Sequence, residues 1–475
     1  MTLREGWEMV VGLEVHTELK TATKMFCGCA NSFGSEPNTN VCPTCLGLPG
    51  SLPVLNARAV ELAMAIGTAL HSTISPSTFH RKNYFYPDMP KDFQISQYDL
   101  PINSGGYLDP PNFDRVSIER AHLEEDTGKS THLGGSGRIH GAERSLVDYN
   151  RSGVPLVEIV SGPDIRSSAQ ARAYAAELRG ILMATGASDG RMEEGSMRID
   201  ANVSVRRSGE PFGTRCEIKN LNSLRSLVRA IDHEAQRQVE LLESGGTVRQ
   251  ETRHWDEILG ATSTMRVKEE ADDYRYFREP DLVDLAPDRA WQDRVRAGLP
   301  PMPAERRAGL RERLREPSDA LLDAVEVVID LGLDGYVNAA IDAGLAPDVA
   351  LARAANELAG GLDGLANLTL SAFVATVRLE QSGDLSATQA KSVLVELLLH
   401  GGEPGDVATA MGLERLAEGT LGPVVAELIE RHPDEWARYR VGDDKLAQFF
   451  IGQVMKLTKG QANGKDVIAE LQARR

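Results

Sequence analysis

Residues 10–19, VVGLEVHTEL, alternate with a period of two, setting Val11, Leu13 and Val15 against Glu14, His16 and Glu18. That is the pattern of a half-buried strand with a polar outer face. Val116 to Glu125 reads as a second strand, running into HLEEDTGKSTH. Val154 to Val160 is almost continuously apolar, as in a strand covered on both faces. Met197 to Arg206 again alternates, with Arg198, Asp200, Asn202, Ser204 and Arg206 on its polar side. Between these lie helical stretches. One spans Asn56 to Leu70 with Asn56 as N-cap; another is capped by Ser167 or Ser168 and ends at Gly186. A third, of about six turns, follows CEIKNLNSL and is closed by Gly245-Gly246. Arg81 to Ile102, rich in Pro, Tyr and Phe, reads as an ordered edge or loop with stacking surface.

After Leu299-Pro300-Pro301-Met302-Pro303 the strand pattern stops and amphipathic helices follow, interrupted at Gly401-Gly402-Glu403-Pro404-Gly405. The expected fold class is α+β: an N-terminal domain built on a mixed or antiparallel sheet with flanking helices, then all-helical domains. The expected divisions are 1–295, 296–400 and 401–475. At 475 residues, more than one core is required.

Charge narrows the picture. With 52 basic against 69 acidic residues, the formal charge of -17 argues against nucleic-acid binding over the whole surface. Any such contact is local, and the C-terminal tip offers one. Lys445, Lys456, Lys459, Lys465, Arg474 and Arg475 there face only Asp466 and Glu470, although a solvated helix end explains the same pattern. The N-terminal stretch lacks the features of a signal peptide and no apolar run is long enough to span a bilayer. The expectation is a cytoplasmic chain with no membrane partner.

Cys27-Gly-Cys29 and Cys42-Pro-Thr-Cys45 flank a loop rich in Gly, Asn and Pro. Two close thiolate pairs suit tetrahedral zinc, and four thiolates leave no open position, so the site is expected to be structural. Cys216 reads as a packed strand residue. Glu158 interrupts the apolar run around it and needs a cationic partner, hydrogen-bond donors or a metal ion. Glu14, His16, Glu158 and one or both of Glu124 and Glu125 would make a site of several oxygens and one nitrogen, with His122 nearby. Such a set fits Mg2+ or Mn2+ with ATP phosphates; the competing readings are a polar strand edge and a structural salt bridge. Gly128-Lys129-Ser130 is no P-loop, because Leu123 stands where that motif needs glycine. Gly134-Gly135-Ser136-Gly137 reads as a loop, and no Ser- or Cys-based hydrolase pattern is found.

Taken together, VGLEVHTELKT, RKNYFYPDMPKDFQISQYD, HLEEDTGKSTH, DYNRSGVPLVEIVSGPD, EEGSMRIDANVSVR, KNLNS and DDYRYFREPDL resemble the B-subunit family of the aspartyl/glutamyl-tRNA amidotransferases. The tail FFIGQVMKLTKGQAN is similar to the same family's C-terminal module, except that Gly464 follows QAN where the family usually has proline. The resemblance implies an ATP-hydrolysing ligase that phosphorylates the side chain of Glu on tRNA(Gln), or Asp on tRNA(Asn), and then amidates it. It implies a heterotrimer, whose other members are an amidase that supplies ammonia from glutamine and a small protein that straps the two together. Upstream it implies a non-discriminating aminoacyl-tRNA synthetase. Carried onto this chain, the Mg2+ and ATP site falls on Glu14, His16, Glu124 or Glu125, and Glu158. Contacts to phosphate or along the ammonia path fall on Lys82, Lys129, Asn150 and Arg151. Zn2+ falls on the four cysteines, and the tail would grip the outer corner of the tRNA. Two other readings compete. A non-catalytic tRNA-binding scaffold leaves the acids of the first domain unexplained, and a zinc hydrolase is at odds with a closed four-cysteine site.

Overall fold

The computed structural model describes residues 3–134, 142–267, 274–413, 419–458, 462 and 464–475. Gly135 to Gly137, Asp272 and Asp273 of the DDYRYF stretch, Lys459, Gln461 and Asn463 lie outside the described residues. The chain divides into two compact units, Met1–Pro303 and Ala304–Arg475.

The first unit is α+β and is built on a 13-stranded mixed sheet. Its central strand, Trp7–Glu18, pairs antiparallel with Pro155–Ser161 on one side and Met197–Arg207 on the other. Val116–Glu125 lies beyond Pro155–Ser161, followed by Phe93–Ser96, His80–Asn83 and Phe277–Arg278. On the opposite side comes Cys216–Leu221, then Glu251–Asp256, which runs parallel to it, and Ala261–Val267. Segments far apart in sequence thereby share one polar row. His16 stands opposite Glu158 and Arg198, and Glu158 stands opposite His122.

The other face is apolar. Val11, Leu13, Val15, Val157, Ile159, Ile199 and Val203 are buried there in one core with residues of the helices Ala57–Ala69, Ser168–Ala184 and Leu224–Glu243. Burying each such aliphatic side chain contributes about 1.5–3 kcal/mol. The helix starts are fixed locally. Asn56 Oδ1 accepts from the amides of Arg58 and Ala59, Ser167 caps Gln170 and Ser223 caps Ser226. Gly67, inside the first helix, is required by packing, because a β-carbon there would collide with the Asn103 side chain. Asn103 donates to the carbonyls of Ala63 (2.9 Å) and Ala121 (3.1 Å), stitching helix to sheet.

The described residues of the second unit are helical and enclose two apolar cores. One runs from Leu310 to Ala408 and the other from Val425 to Leu471. The Gly401–Gly405 segment therefore lies within the span of the first of these cores. At the C-terminus the last helix starts at Gly464. Just beyond its end at Ala473, two basic residues are paired, Arg474 with Glu470 (2.7 Å) and Arg475 with Asp444 (2.8 Å). Among the described residues no helix is long and apolar enough to cross a membrane.

Candidate active site

On the polar face, strand pairing brings three side chains together. One ligand atom each from His16, Glu124 and Glu158 lie within 4.8 Å of one another. His16 Nε2 is 3.3 Å from Glu158 Oε2 and 3.6 Å from Glu124 Oε1. His122 Nε2 is 3.7 Å from Glu158 Oε2, and Arg120 Nη2 is 3.7 Å from Glu158 Oε1. Burial lowers the basicity of His16, but the hydrogen bond and charge of Glu158, with Glu124 and Asp200, more than reverse this and raise its pKa to about 9. Burial also opposes ionisation of Glu158, yet His122, His16 and Lys82 hold it well below the usual carboxylate range. Glu124 is pushed up, first by burial and then by the charge of Glu158. His122 is driven down to about 4, chiefly by burial. Two crowded carboxylates and an imidazole form a hard, mostly oxygen donor set, which a divalent cation would neutralise.

The remaining expected residues separate by strand face. Glu14 points to the same face, where its Oε1 accepts from Asn202 Nδ2 at 2.9 Å, but it is not one of the three clustered ligands. Glu125 is one residue along from Glu124, and so faces the other way. It is buried, ion-paired with Lys91, and accepts from the Ile95 amide at 2.9 Å. The sequence left Glu124 and Glu125 as alternatives; the geometry brings Glu124 to the cluster and Glu125 to the reverse side.

Lys82 lines the same cavity as His16 and Glu124. Burial opposes its charge, but Tyr276, Glu124 and Glu158 overcome that and raise its pKa. Lys129, Asn150 and Arg151 are not brought there. Lys129 begins an exposed hairpin strand paired with Arg144–Asp148. Asn150 bonds the Glu36 carbonyl (2.7 Å) and the Asn40 amide (2.8 Å), tying down the cysteine loop. Arg151 donates to the carbonyls of Thr127 and Gly128, both at 3.0 Å.

A cavity of about 790 Å³ opens over the cluster, with His16, Glu124, Lys82, Arg198, Asp200 and Lys219 among its lining. The polar side of the Met197–Arg207 alternation supplies two of these residues. Their role was missed because the sequence does not say that this strand lies beside Trp7–Glu18. Lys219, from the KNLNS stretch, pairs with Asp200 and lies 3.3 Å from Glu217. It too was missed, since nothing in its local pattern sets it apart from a surface lysine.

Cys27, Cys29, Cys42 and Cys45 also converge, with their sulfurs within 4.8 Å of one another, so this cluster could hold a metal ion. The Cys42 amide donates to Cys45 Sγ at 3.1 Å. A hydrogen bond from Cys27, assisted by Lys24, draws the Cys45 thiol down to about 5. The hydrogen bond with Cys45 and burial push the Cys27 thiol up, and burial raises Cys29 to about 11, so it is the convergence of four sulfurs that suits a soft or borderline metal ion. Cys216 is buried in its strand, apart from this group.

Residues 9–293 match the family model described as the GatB/GatE catalytic domain, and residues 336–474 match the one described as the GatB domain. A Streptomyces avermitilis protein, named as the B subunit of aspartyl/glutamyl-tRNA(Asn/Gln) amidotransferase, is 49% identical over 487 residues, covering 98% of this chain and 95% of the relative. Its namesake in Streptomyces coelicolor is 48% identical, covering 98% of this chain and 96% of the relative. That of Mycobacterium tuberculosis is 48% identical, covering 97% and 93%. Sheet, clustered acids and near-full-length similarity agree: the chain belongs to the B-subunit family of the aspartyl/glutamyl-tRNA(Asn/Gln) amidotransferases.

Proposed function

We propose that this chain activates the side-chain carboxylate of Glu on tRNA(Gln), or Asp on tRNA(Asn), with ATP and then converts it to the amide. The observation that carries this reading is the His16–Glu124–Glu158 cluster, two of whose members, His16 and Glu124, line a cavity that also carries the cations Lys82, Arg198 and Lys219 among its acids, in a chain of this family. A carboxylate resists ammonia until one oxygen becomes a leaving group. In the first step a carboxylate oxygen attacks the γ-phosphorus of ATP and the bond to ADP breaks. In the second, ammonia attacks the acyl carbon, loses a proton, and phosphate departs.

His16, Glu124 and Glu158 would hold Mg2+, with Glu14 beside them. When bound, the ion supplies charge neutralisation between ATP and the incoming carboxylate. Lys82, charged and facing Glu124 and Glu158, orients the substrate carboxylate and offsets the negative charge of the acyl phosphate. Arg198, paired with Asp126, and Lys219, paired with Asp200, line the same cavity.

Zn2+ on the four cysteines is assigned a structural role. Residues 1–295 are assigned catalysis, 296–400 a helical domain, and 401–475 tRNA binding. A partner amidase supplies ammonia and a small third protein joins the two, in the cytoplasm. The test is ATP-dependent amidation of Glu-tRNA(Gln) and Asp-tRNA(Asn) by the complex with its partner subunits. Turnover that needs no ATP, or that survives His16→Ala unchanged, would overturn the assignment.

A further inference from the structure

The cavity over the acid cluster has an aromatic wall that the chemistry above does not use. Tyr84 and Tyr274 both line it. They are neighbours because Phe277–Arg278 pairs antiparallel with His80–Asn83, so the chain leading into the last strand runs alongside residues 81–84. Asn83 secures that approach by donating to the carbonyls of Tyr274 and Arg275, both at 2.9 Å. Arg275 sits at φ 45°, a left-handed conformation unusual for a side chain of this size. Sparsely populated backbone conformations persist where surrounding structure holds them, often at binding sites. The rings are braced on both sides: Tyr84 stacks on Tyr86 at 4.6 Å, and Lys82 Nζ lies 4.9 Å from the Tyr274 ring centre.

We propose that Tyr84 and Tyr274 form the platform on which the terminal base of the aminoacyl-tRNA stacks while its side chain is activated. The inference rests on the functional reading above and adds the site of the nucleobase. Three features favour this occupant. The aminoacyl group joins its side-chain carboxyl to the ribose ester through only a few bonds of about 1.5 Å each, so the terminal nucleoside must lie beside the acid cluster. Lys82 belongs to both places, since its Nζ lies over the Tyr274 ring and it lines the same cavity as His16 and Glu124. The cavity, about 790 Å³ and continuous from the cluster to these rings, has room for a nucleoside as well as the reacting groups. The 3′ end of tRNA is single-stranded, and unpaired bases are bound by stacking on aromatic rings, worth about 1–3 kcal/mol per base.

The test compares Tyr84→Ala, Tyr84→Phe, Tyr274→Ala and Tyr274→Phe in the complex with its partner subunits. Substrates are normal Glu-tRNA(Gln) and Glu-tRNA(Gln) with an abasic terminal nucleotide. The Ala variants should raise KM for normal Glu-tRNA(Gln) about tenfold. KM for ATP should stay put, and the Phe variants should restore the wild-type value. On the abasic substrate, wild type and Ala variants should have equal KM. Unchanged tRNA KM in both Ala variants, a rise in ATP KM instead, or an Ala effect that persists on the abasic substrate would overturn the platform. If the wild-type complex does not amidate at all, the functional reading falls and takes the platform with it. If the wild type amidates and the Ala variants match it, only the platform falls.

Discussion

His16 and Glu158 stand directly opposite each other on neighbouring antiparallel strands, with imidazole Nε2 3.3 Å from the carboxylate. They are 142 positions apart in sequence, and the sheet register alone makes them partners. The same register sets His122 opposite Glu158 and brings Glu124 onto the same face, since side chains two apart on a strand share a side.

Neighbouring acids on one strand should behave differently. Glu124→Gln removes a donor from the cluster, so the Mg2+ concentration needed for half-maximal amidation should rise at least tenfold with little change in unfolding free energy. Glu125→Gln leaves Lys91 buried without its ion-pair partner and should cost about 3–5 kcal/mol of stability. Mg2+ titration of activity, paired with denaturant unfolding, separates the two. Equal effects of both variants on the Mg2+ requirement would refute the face assignment.

The four-cysteine cluster should carry one zinc ion per chain, measurable by metal analysis of the purified protein. Cys45→Ser should abolish zinc retention and lower the unfolding temperature, because the loop of residues 27–45 has little apolar packing of its own. A cysteine variant that keeps stoichiometric zinc would contradict the site.

Glu234 gives a pH-dependent test remote from catalysis. It is fully buried in the long helix Leu224–Glu243, where it accepts from Arg237 (2.6 Å), Gln238 (2.8 Å) and Thr262 (3.0 Å). Burial raises its pKa, but Arg237, Gln238 and Arg253 prevail and hold it below the ordinary 4.5. A carboxyl depressed on folding stabilises the protein above its unfolded pKa, and the benefit is lost as pH falls through the folded value. Glu234→Gln should therefore be less stable than wild type at neutral pH by about 3–5 kcal/mol. The two unfolding free energies should draw together as pH drops below 4.5. A gap independent of pH would count against this pairing.

Much of the first unit was readable from its periodicities. The alternations in Trp7–Glu18 and Met197–Arg207, the apolar run at Pro155–Ser161 and the caps Asn56 and Ser167 lie where local sequence puts them. Local sequence fixes which side chains share a strand face, but not which strands are neighbours. That is why Arg198 and Asp200 were seen on a polar face without being linked to His16. Alternation alone already separates Glu124 from Glu125, once Glu124 is known to share the face of His122 and Glu158. The four cysteines were legible because close pairs of soft ligands carry their own geometry.

The most direct test supplies ammonium chloride in place of glutamine, so that the result does not depend on the amidase partner. The complex carrying Glu158→Gln is incubated with ATP, Mg2+ and Glu-tRNA(Gln), and Gln-tRNA(Gln), ADP and tRNA binding are measured together. The wild-type complex should form one ADP per amide. The variant should bind tRNA normally while amide and ADP formation fall at least 100-fold, about 2.7 kcal/mol of lost transition-state stabilisation. Amide formation by the variant at the wild-type rate would contradict the central claim that this carboxylate belongs to the activation site.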